Sequence, residues 1–249
     1  MLSFGVYHEE GAMQLAEDVR VMARIKIVRI GGDVREHPQY SIEDVARYLH
    51  IPLSTMAAWC RGQNWTVGST GKKRHFEPLI NPANPDKGLL SFYNLAEAHV
   101  LRATRDRMVP LQNVRRALDY IRAAIPTSEH PLLSHEFMTY GKNVFIEHLG
   151  STINATRYGQ TAMRELLDDY LERIDRDALG MPTQVYPMRS KVLAINPTIA
   201  SGQPVVKGTR VMAAVLVARR DAGESYRDLV RDYSLTRSQI EQAITEYAA

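Results

Sequence analysis

The clearest pattern of apolar and polar positions lies in Tyr40–Trp59. Ser41 can cap a first helix there, with Asp44 as its capping-box partner, and Pro52 stands near the start of a second helix. The turn between them falls at His50, where glycine is the usual residue. Apolar side chains occupy the inward positions of both helices: Val45, Leu49, Ile51, Met56 and Trp59. This spacing predicts two helices that cross steeply, as in a helix-turn-helix, with a plain helical hairpin in a core as the alternative.

The same spacing returns in the last quarter of the chain. Apolar, small and aromatic residues repeat the N-terminal positions: Leu229, Val230, Tyr233, Leu235, Ile240 and Ala243. Ser225 caps the first of these helices, Ser234 takes the turn and Thr236 caps the second. The second helix then exposes polar side chains that can bond base edges in a major groove: Arg237, Ser238 and Gln242. The sequence therefore predicts a second helix-turn-helix.

Outside these two units the pattern predicts shorter elements. We expect a helix over 12–24, a strand over 24–30, a hairpin or loop over 63–90, and two helices over 94–125 broken near Pro110. Alternating side chains and turn glycines predict three short strands in the middle of the chain: Phe137–Tyr140, Asn143–His148 and Ser151–Asn154. A long helix should follow over Gln160–Asp177. We then expect a strand over Val192–Ile195 and three helices in the remaining C-terminal residues. The predicted fold class is mainly α with small β elements.

The predicted organisation has four segments: 1–39, an N-terminal extension; 40–125, a winged helix-turn-helix; 126–190, a β-hairpin and helix; and 191–249, the second helix-turn-helix. Their net charges are −1, +5, −3 and +2. Two basic segments therefore flank an acidic one, and a basic segment is typical of polyanion binding, although ordinary solvated faces give the same imbalance. Met13 and Met22 are alternative starts for the chain.

The composition excludes several classes of protein. The 249 residues are 45% hydrophobic and 24% charged, which is typical of a globular protein. A single cysteine, Cys60, excludes a disulfide framework and a Cys-rich zinc site, and we expect it to be buried as a small apolar residue. No apolar run is long enough to span a membrane, and acidic residues interrupt any signal-peptide pattern near the N-terminus. We expect a cytoplasmic protein with no membrane association.

Motifs for catalysis are weak. Gly68–Lys73 has the wrong spacing for a phosphate loop, so a basic wing tip is the favoured interpretation. His130 and His135 stand beside Glu129 and Glu136, but no third histidine or cysteine joins them, which favours an exposed linker over a metal site. Asp168 and Asp169 are adjacent on a helix and point to different faces. We therefore expect no enzyme activity, no cofactor and no metal.

From Tyr40 to about Ala124 the chain resembles the DNA-binding domain of MerR-like regulators. That resemblance implies a helix-turn-helix, a basic two-stranded wing over Asn64–Leu90, and a second helix pair running from Leu90 to Leu118. The wing carries three consecutive basic residues that would contact phosphates or the minor groove: Lys72, Lys73 and Arg74. On the first recognition helix the resemblance points to the polar residues Ser54, Thr55 and Arg61.

From Val192 to Ala249 the chain resembles a prokaryotic family of small antitoxin-like domains with a homeodomain-like helix-turn-helix. The signature is Gly202–Val211, with Gly208-Thr209-Arg210 at its centre, followed by Ala222–Ser225 and Asp232–Thr236. We expect Gly208 to permit a strained turn that Thr209 and Arg210 anchor by hydrogen bonds, an architectural rather than catalytic role. The family resemblance implies the antitoxin half of a VapB-type system, beside a PIN-like ribonuclease toxin, and residues 40–249 resemble the longer members that join it to a MerR-like front.

The leading hypothesis is an antitoxin that binds its toxin directly and represses its own operon as a homodimer on operator DNA. Its DNA-binding residues would be those of the first recognition helix, the wing and the second recognition helix: Ser54, Thr55, Arg61, Lys72, Lys73, Arg74, Arg237, Ser238 and Gln242. An inserted arginine would suit the acidic metal site of the toxin, and the sequence leaves open which one. The alternatives are a MerR-like regulator that senses a small ligand through 126–190 without a toxin, and a dimerisation scaffold that binds no DNA.

Overall fold

The computed structural model describes residues 32–67, 72–126, 128–149 and 157–249, and it is mainly helical, with 57% helix and small two-stranded sheets. The helix predicted over 12–24 and the strands predicted over 24–30 and Ser151–Asn154 lie outside these residues. Residues 34–249 form one compact unit. Within the described ranges, every helix is too short or too polar to cross a bilayer.

The N-terminal helix-turn-helix consists of α1, Ile42–Tyr48, and α2, Leu53–Arg61. The predicted capping box is present, because the Ser41 side chain accepts from the Asp44 amide while the Asp44 carboxylate accepts from the Ser41 amide. His50 takes the predicted left-handed turn, with a φ of 50°. The inward positions Val45, Leu49, Ile51, Met56 and Trp59 are all buried. The helix-turn-helix is therefore confirmed.

A two-stranded antiparallel wing follows α2, with β1 at Gln63–Val67 and β2 at Lys72–Phe76. Gly62 reverses the chain between α2 and β1 with a φ of 72°, which favours glycine. The predicted helix pair comes next, as α3 over Phe92–Asp106 and α4 over Leu111–Ala124. Pro110 stands between them, as expected.

The middle segment corrects the prediction of short strands. Phe137–Gly141 is a π-helical turn and Lys142–Leu149 is helix α5. The apolar residues that suggested alternation also follow helical spacing. Phe137, Phe145 and Leu149 are buried in one core, which favours the helix. The two phenylalanine rings lie 5.8 Å apart, measured between their centres. Short apolar runs cannot separate the two periods, so tertiary packing decides.

The long helix is also shorter than predicted. Helix α6 covers Arg157–Leu171, and β3, Ile174–Arg176, then pairs with β4, Pro182–Val185. Asp177 closes this hairpin, because its carboxylate accepts from the amides of Leu179 and Met181 at 3.0 Å each. Gly180 and Pro182 therefore belong to a β-turn and a strand rather than to a helix end.

The C-terminal unit begins with a minimal sheet of β5, Leu193–Ala194, and β6, Val205–Val206. The three predicted helices follow as α7, α8 and α9, over Ala213–Asp221, Tyr226–Tyr233 and Arg237–Ala248. Ser225 and Thr236 cap the last two helices, and Ser234 takes a left-handed turn with a φ of 53°, all as predicted.

Two apolar clusters support this arrangement. One continuous core extends from Tyr40 to Ile195, so the 126–190 segment packs on the N-terminal helices rather than around a core of its own. A smaller cluster holds the C-terminal unit: Leu193, Val206, Ala213, Leu216, Leu229, Leu235, Ile240 and Ala243. Tyr247 of α9 contacts both clusters.

The Gly-Thr-Arg turn matches the prediction in part. Gly208 has a φ of +77°, and the Thr209 hydroxyl donates to the Val206 carbonyl at 2.8 Å and accepts from the Val211 amide at 3.0 Å. The prediction that Arg210 also anchors the turn is wrong, because its side chain is exposed and forms no hydrogen bond to a described residue.

Candidate nucleic-acid interface

The outward face of α2 is polar and accessible. Ser54 and Arg61 are exposed and Thr55 is half-buried, whereas Met56, Trp59 and Cys60 face the core. Burial raises the pKa of the Cys60 thiol to about 12, so this group stays protonated at neutral pH. The helix therefore keeps its apolar side in the core and presents Ser54 and Arg61 to solvent.

The turn of the N-terminal helix-turn-helix is held from outside. Arg102 of α3 donates through Nη1 to the Leu49 carbonyl at 2.6 Å, just before His50. His50 also makes a hydrogen bond to the Glu246 backbone, and its pKa is lowered first by burial and then by the nearby Arg102 charge. The angle between α1 and α2 therefore depends on contacts from α3 and α9.

The wing is fixed at its base by the second helix pair. The Leu79 and Ile80 amides both donate to the Trp59 carbonyl, at 2.8 and 3.1 Å. On α4, Arg115 donates to the Glu77 carbonyl and Arg122 donates to the Leu79 carbonyl at 2.7 Å. These bonds hold the end of the wing against the end of the recognition helix.

Strand β2 carries the predicted basic residues of the wing. In its antiparallel register, Lys72, Lys73 and Arg74 stand opposite Val67, Thr66 and Trp65. Strand β1 follows α2 in the chain, and β2 pairs with β1. The basic strand is thus joined through β1 to the C-terminal end of α2, where Arg61 stands.

Sequence analysis missed a cleft beside the recognition helix. This cleft has a volume of about 720 Å³, with Ser54 and Thr55 on one wall and Arg105 and Met108 on the other. Arg105 is exposed and forms no ion pair with any described residue. Met108 lies at the α3–α4 turn, 89% exposed and with a φ of 53°.

The charged neighbours of Arg105 at this turn have partners within the described part of the chain. Asp106 accepts from the Tyr170 hydroxyl at 2.5 Å and lies 3.9 Å from Arg102, and Arg107 donates to the Ala162 carbonyl at 3.1 Å. The sequence signal was the Arg105-Asp106-Arg107 run before Pro110, but only the fold shows which arginine remains unpaired.

The predicted residues on the C-terminal recognition helix are exposed but already engaged. Arg237 forms an ion pair with Glu241 at 2.7 Å, and the Gln242 amide donates to the Ser238 hydroxyl at 3.3 Å. The Arg237 guanidinium also lies 5.2 Å from the centre of the Tyr226 ring. A phosphate would have to compete with these intramolecular partners.

Other cations of this unit are neutralised in the same way. Arg219 lies between Glu224 and Asp232, and Arg231 lies between Asp228 and Asp232 at 3.1 Å from each. These pairs hold the pKa of Arg219 above its ordinary value and those of Glu224 and Asp232 below theirs, while the Ser225 hydroxyl and then Arg231 lower the pKa of Asp228. On the C-terminal helices Arg219, Arg231 and Arg237 are therefore paired with carboxylates, whereas Arg227 is exposed and has no ion pair among the described residues.

The His/Glu cluster differs from its prediction as an exposed linker. His130 is largely buried, and its Nδ1 lies 3.0 Å from the Glu97 carboxylate while its ring packs 5.1 Å from that of Tyr93. The Glu97 contact outweighs burial and raises the pKa of His130. The described residues hold no group of three or more His, Cys, Asp or Glu side chains placed to bind a metal.

Two family models match this chain. Residues 38–118 match the family described as "Putative DNA-binding HTH domain", which spans α1, α2, the wing and most of α3 and α4. Residues 193–248 match "Protein of unknown function (DUF433)", which spans the C-terminal unit. Neither description names a catalytic activity.

Known proteins of similar sequence come from Mycobacterium tuberculosis. The chain is 28% identical to the "Putative antitoxin VapB45" over 229 residues, covering 85% of this chain and 95% of the relative. It is also 28% identical to "Uncharacterized protein Rv2308" over 220 residues, covering 82% of this chain and 88% of that one.

A solved structure has the same fold. The crystal structure of Rv2018 from Mycobacterium tuberculosis superposes with a TM-score of 0.62 at 23% identity, covering 84% of this chain and 98% of the other. The comparisons thus agree in general terms with a DNA-binding, antitoxin-like protein, whose N-terminal helix-turn-helix resembles a DNA-binding family and whose relatives include a named antitoxin.

Proposed function

We propose that this protein is a type II antitoxin that binds a PIN-like ribonuclease toxin directly and represses its own operon as a homodimer. The DNA-reading part is the N-terminal helix-turn-helix with its wing, arranged as in MerR-like regulators. The observation that carries the proposal is an exposed polar face on the second helix of the helix-turn-helix, with Arg105 across the cleft beside it and a basic strand in the wing that follows. Arg105 forms no ion pair with a described residue. The relative named as an antitoxin supports the toxin-binding half.

The division of labour between the two helix-turn-helix units follows from their charges. Affinity for DNA comes largely from cations that replace the counterions of phosphates, so cations already paired with carboxylates contribute little. Beside the N-terminal recognition helix, Arg105 forms no ion pair with a described residue, whereas Arg237, the arginine of the C-terminal recognition helix, is paired with Glu241. We therefore assign DNA reading to the N-terminal unit, and Ser54, Thr55 and Arg61 to base and backbone contacts within it.

A binding titration on the protein's own promoter fragment tests the DNA half. Replacing Lys72, Lys73 and Arg74 with alanine should weaken binding to all sequences alike. It should also reduce the slope of log affinity against log salt by about 2–3, because each lost phosphate contact removes about 0.9 from the slope. The matched control is Arg164→Ala, which removes an exposed arginine of α6 that makes no ion pair with the described residues. Unchanged affinity in the triple variant would place the DNA contact elsewhere.

Co-expression with the adjoining reading frame tests the toxin half. A stable complex on affinity purification, together with rescue of growth from the toxic product, is the expected result. DNA binding without any complex would favour a MerR-like regulator that has no toxin. A complex or dimer without DNA binding would favour a scaffold.

A further inference from the structure

The Gly-Thr-Arg turn is the one sequence motif that the proposed function leaves without a role. Its base is closed by the Val206 amide, which donates to the Val211 carbonyl at 2.9 Å. Thr209 adds its amide, which donates to the Val206 carbonyl at 3.0 Å, and two bonds through its hydroxyl at 2.8 and 3.0 Å. The turn is therefore rigid, and Arg210 takes no part in holding it.

The tip of this turn is exposed to solvent. Lys207, Gly208 and Arg210 are exposed, and no described atom beyond the adjacent residues lies within 4 Å of where a Gly208 Cβ would stand. Lys207 is steadied by the ring of Tyr186, whose centre lies 5.0 Å from its Nζ. The fold thus fixes the backbone between two cations and leaves the space above them open.

The two cations also lack partners within the described chain. Neither Lys207 nor Arg210 forms an ion pair there, whereas Arg189 pairs with Asp169 and Arg237 pairs with Glu241. A guanidinium matches a carboxylate through two parallel hydrogen bonds, and a preformed turn loses little conformational entropy when it binds. Such a tip suits a concave surface rich in carboxylates.

We infer that the Lys207–Arg210 turn is the contact through which this chain engages an acidic, carboxylate-rich surface of its protein partner. The inference rests on the proposed function, since it takes that partner to be the nuclease encoded beside it, and it selects Arg210 as the arginine that meets the partner's acidic groups.

The geometry favours a protein over a nucleic acid at this site. Nucleic acids are bound through rows of cations that follow a phosphate backbone. This turn offers two cations at one narrow tip, and on the adjoining C-terminal helices Arg219, Arg231 and Arg237 are already paired with carboxylates. Contact with nucleic acid at the turn is therefore an outcome that the experiment must detect.

The experiment measures the affinity of the full chain for the purified product of the adjoining reading frame, by isothermal titration at several salt concentrations. Arg210→Ala should raise Kd about 30-fold or more, because it removes one partner of a desolvated ion pair. Arg210→Lys should recover part of the affinity, since it keeps the charge without the planar fork. Arg227→Ala, another exposed arginine of the same unit without an ion pair, should stay within about twofold of the unchanged chain.

A second variant separates the shape of the turn from its charge. Thr209→Val keeps the side-chain volume but removes both hydroxyl bonds, and it should weaken binding about 3- to 10-fold with both cations retained. Affinity for the promoter fragment should not change in any of these variants.

The outcomes are distinguishable. Loss of nuclease binding in Arg210→Ala, with DNA binding intact, supports the inference. If Arg210→Ala binds the nuclease as strongly as the unchanged chain does, the inference is overturned and the proposed function stands. A loss of DNA affinity in Arg210→Ala also overturns the inference, because the turn would then be a nucleic-acid contact. Absence of nuclease binding by the unchanged chain overturns the proposed function itself.

Discussion

In the N-terminal helix-turn-helix the turn residue is His50, and in the C-terminal one it is Ser234, both left-handed with φ of 50° and 53°. Tertiary contacts hold the first turn, through Arg102 on the Leu49 carbonyl and the bond from His50 to the Glu246 backbone. The C-terminal unit depends on local contacts instead, namely helix caps and ion pairs between nearby residues. The same local motif is therefore stabilised in two different ways.

The two units also differ in where their cations are used. In the C-terminal unit Arg219, Arg231 and Arg237 are occupied by carboxylates and serve intramolecular stability. In the N-terminal unit Arg102 bonds the turn, while Arg105, beside the recognition helix, forms no ion pair with any residue that the structure describes. A helix-turn-helix alone therefore does not identify a DNA reader, because the pairing state of its cations decides whether phosphates are attracted.

The largest expected effect comes from cavities at equivalent positions of the two units. Met56 and Ile240 are both 0% exposed, and replacing either with alanine should cost about 2–5 kcal/mol of the free energy of unfolding. Both tryptophans, at positions 59 and 65, lie in the N-terminal half. Urea unfolding of Ile240→Ala should therefore shift the circular-dichroism transition more than the tryptophan-fluorescence transition, and Met56→Ala should shift both. Equal shifts in Ile240→Ala would show that the two clusters unfold as one.

Much of this contrast was predictable from local chemistry. Ser41, Ser225 and Thr236 act as caps as expected, since a cap depends on residues three positions apart. The strands predicted around Phe137 and Phe145 were wrong, because short apolar runs fit either period and distant core residues decide. Helices and turns that depend on neighbouring residues were therefore predictable, and elements that depend on long-range packing were not.

The residues of the candidate site also differ in whether the sequence alone could identify them. The exposed face of α2 follows from helical spacing, so Ser54 and Arg61 were identifiable without a structure. The free charge of Arg105 depends on Tyr170 binding Asp106 and on Arg107 reaching Ala162, both far away in sequence. Arg210 was assigned to the wrong role for the same reason, since only the folded turn shows that Thr209 supplies its side-chain hydrogen bonds and Arg210 supplies none within the described chain.

A salt titration of DNA binding sharpens the comparison of charges. Arg105→Ala should weaken binding to the promoter fragment by up to about tenfold and lower the slope against log salt by about 1, because one phosphate contact is lost. Arg237→Ala should change neither quantity, since its charge is already paired with Glu241. A larger loss in Arg237→Ala than in Arg105→Ala would reverse the assignment of the two units.

The two turns should respond differently to glycine. Ser234→Gly should gain about 0.5–1 kcal/mol of stability, because relief of the left-handed backbone, about 1–2 kcal/mol, exceeds the added entropy of the unfolded chain. His50→Gly obtains the same relief but loses the hydrogen bond to Glu246, worth about 1 kcal/mol, so its net change should be close to zero. Thermal melts of both variants give the comparison, and an equal gain would mean that the Glu246 contact contributes nothing.

The smallest effect is a pH dependence confined to the N-terminal turn. Burial and Arg102 lower the pKa of His50 below its ordinary value of 6.5, so the folded state prefers the neutral ring. The stability from this preference is complete above pH 6.5 and is lost as the pH falls from 6.5 through the folded-state pKa, since the unfolded chain then binds the proton more readily. His50→Asn keeps a residue that tolerates the left-handed turn but cannot titrate. Between pH 7.5 and 5 the unchanged chain should therefore lose more unfolding free energy than His50→Asn does. The unchanged chain and Ser234→Asn should show no such difference. His99 and His130 titrate alike in all three proteins, so a trend of the opposite sign would mean that the ring at position 50 is stabilised in its charged form.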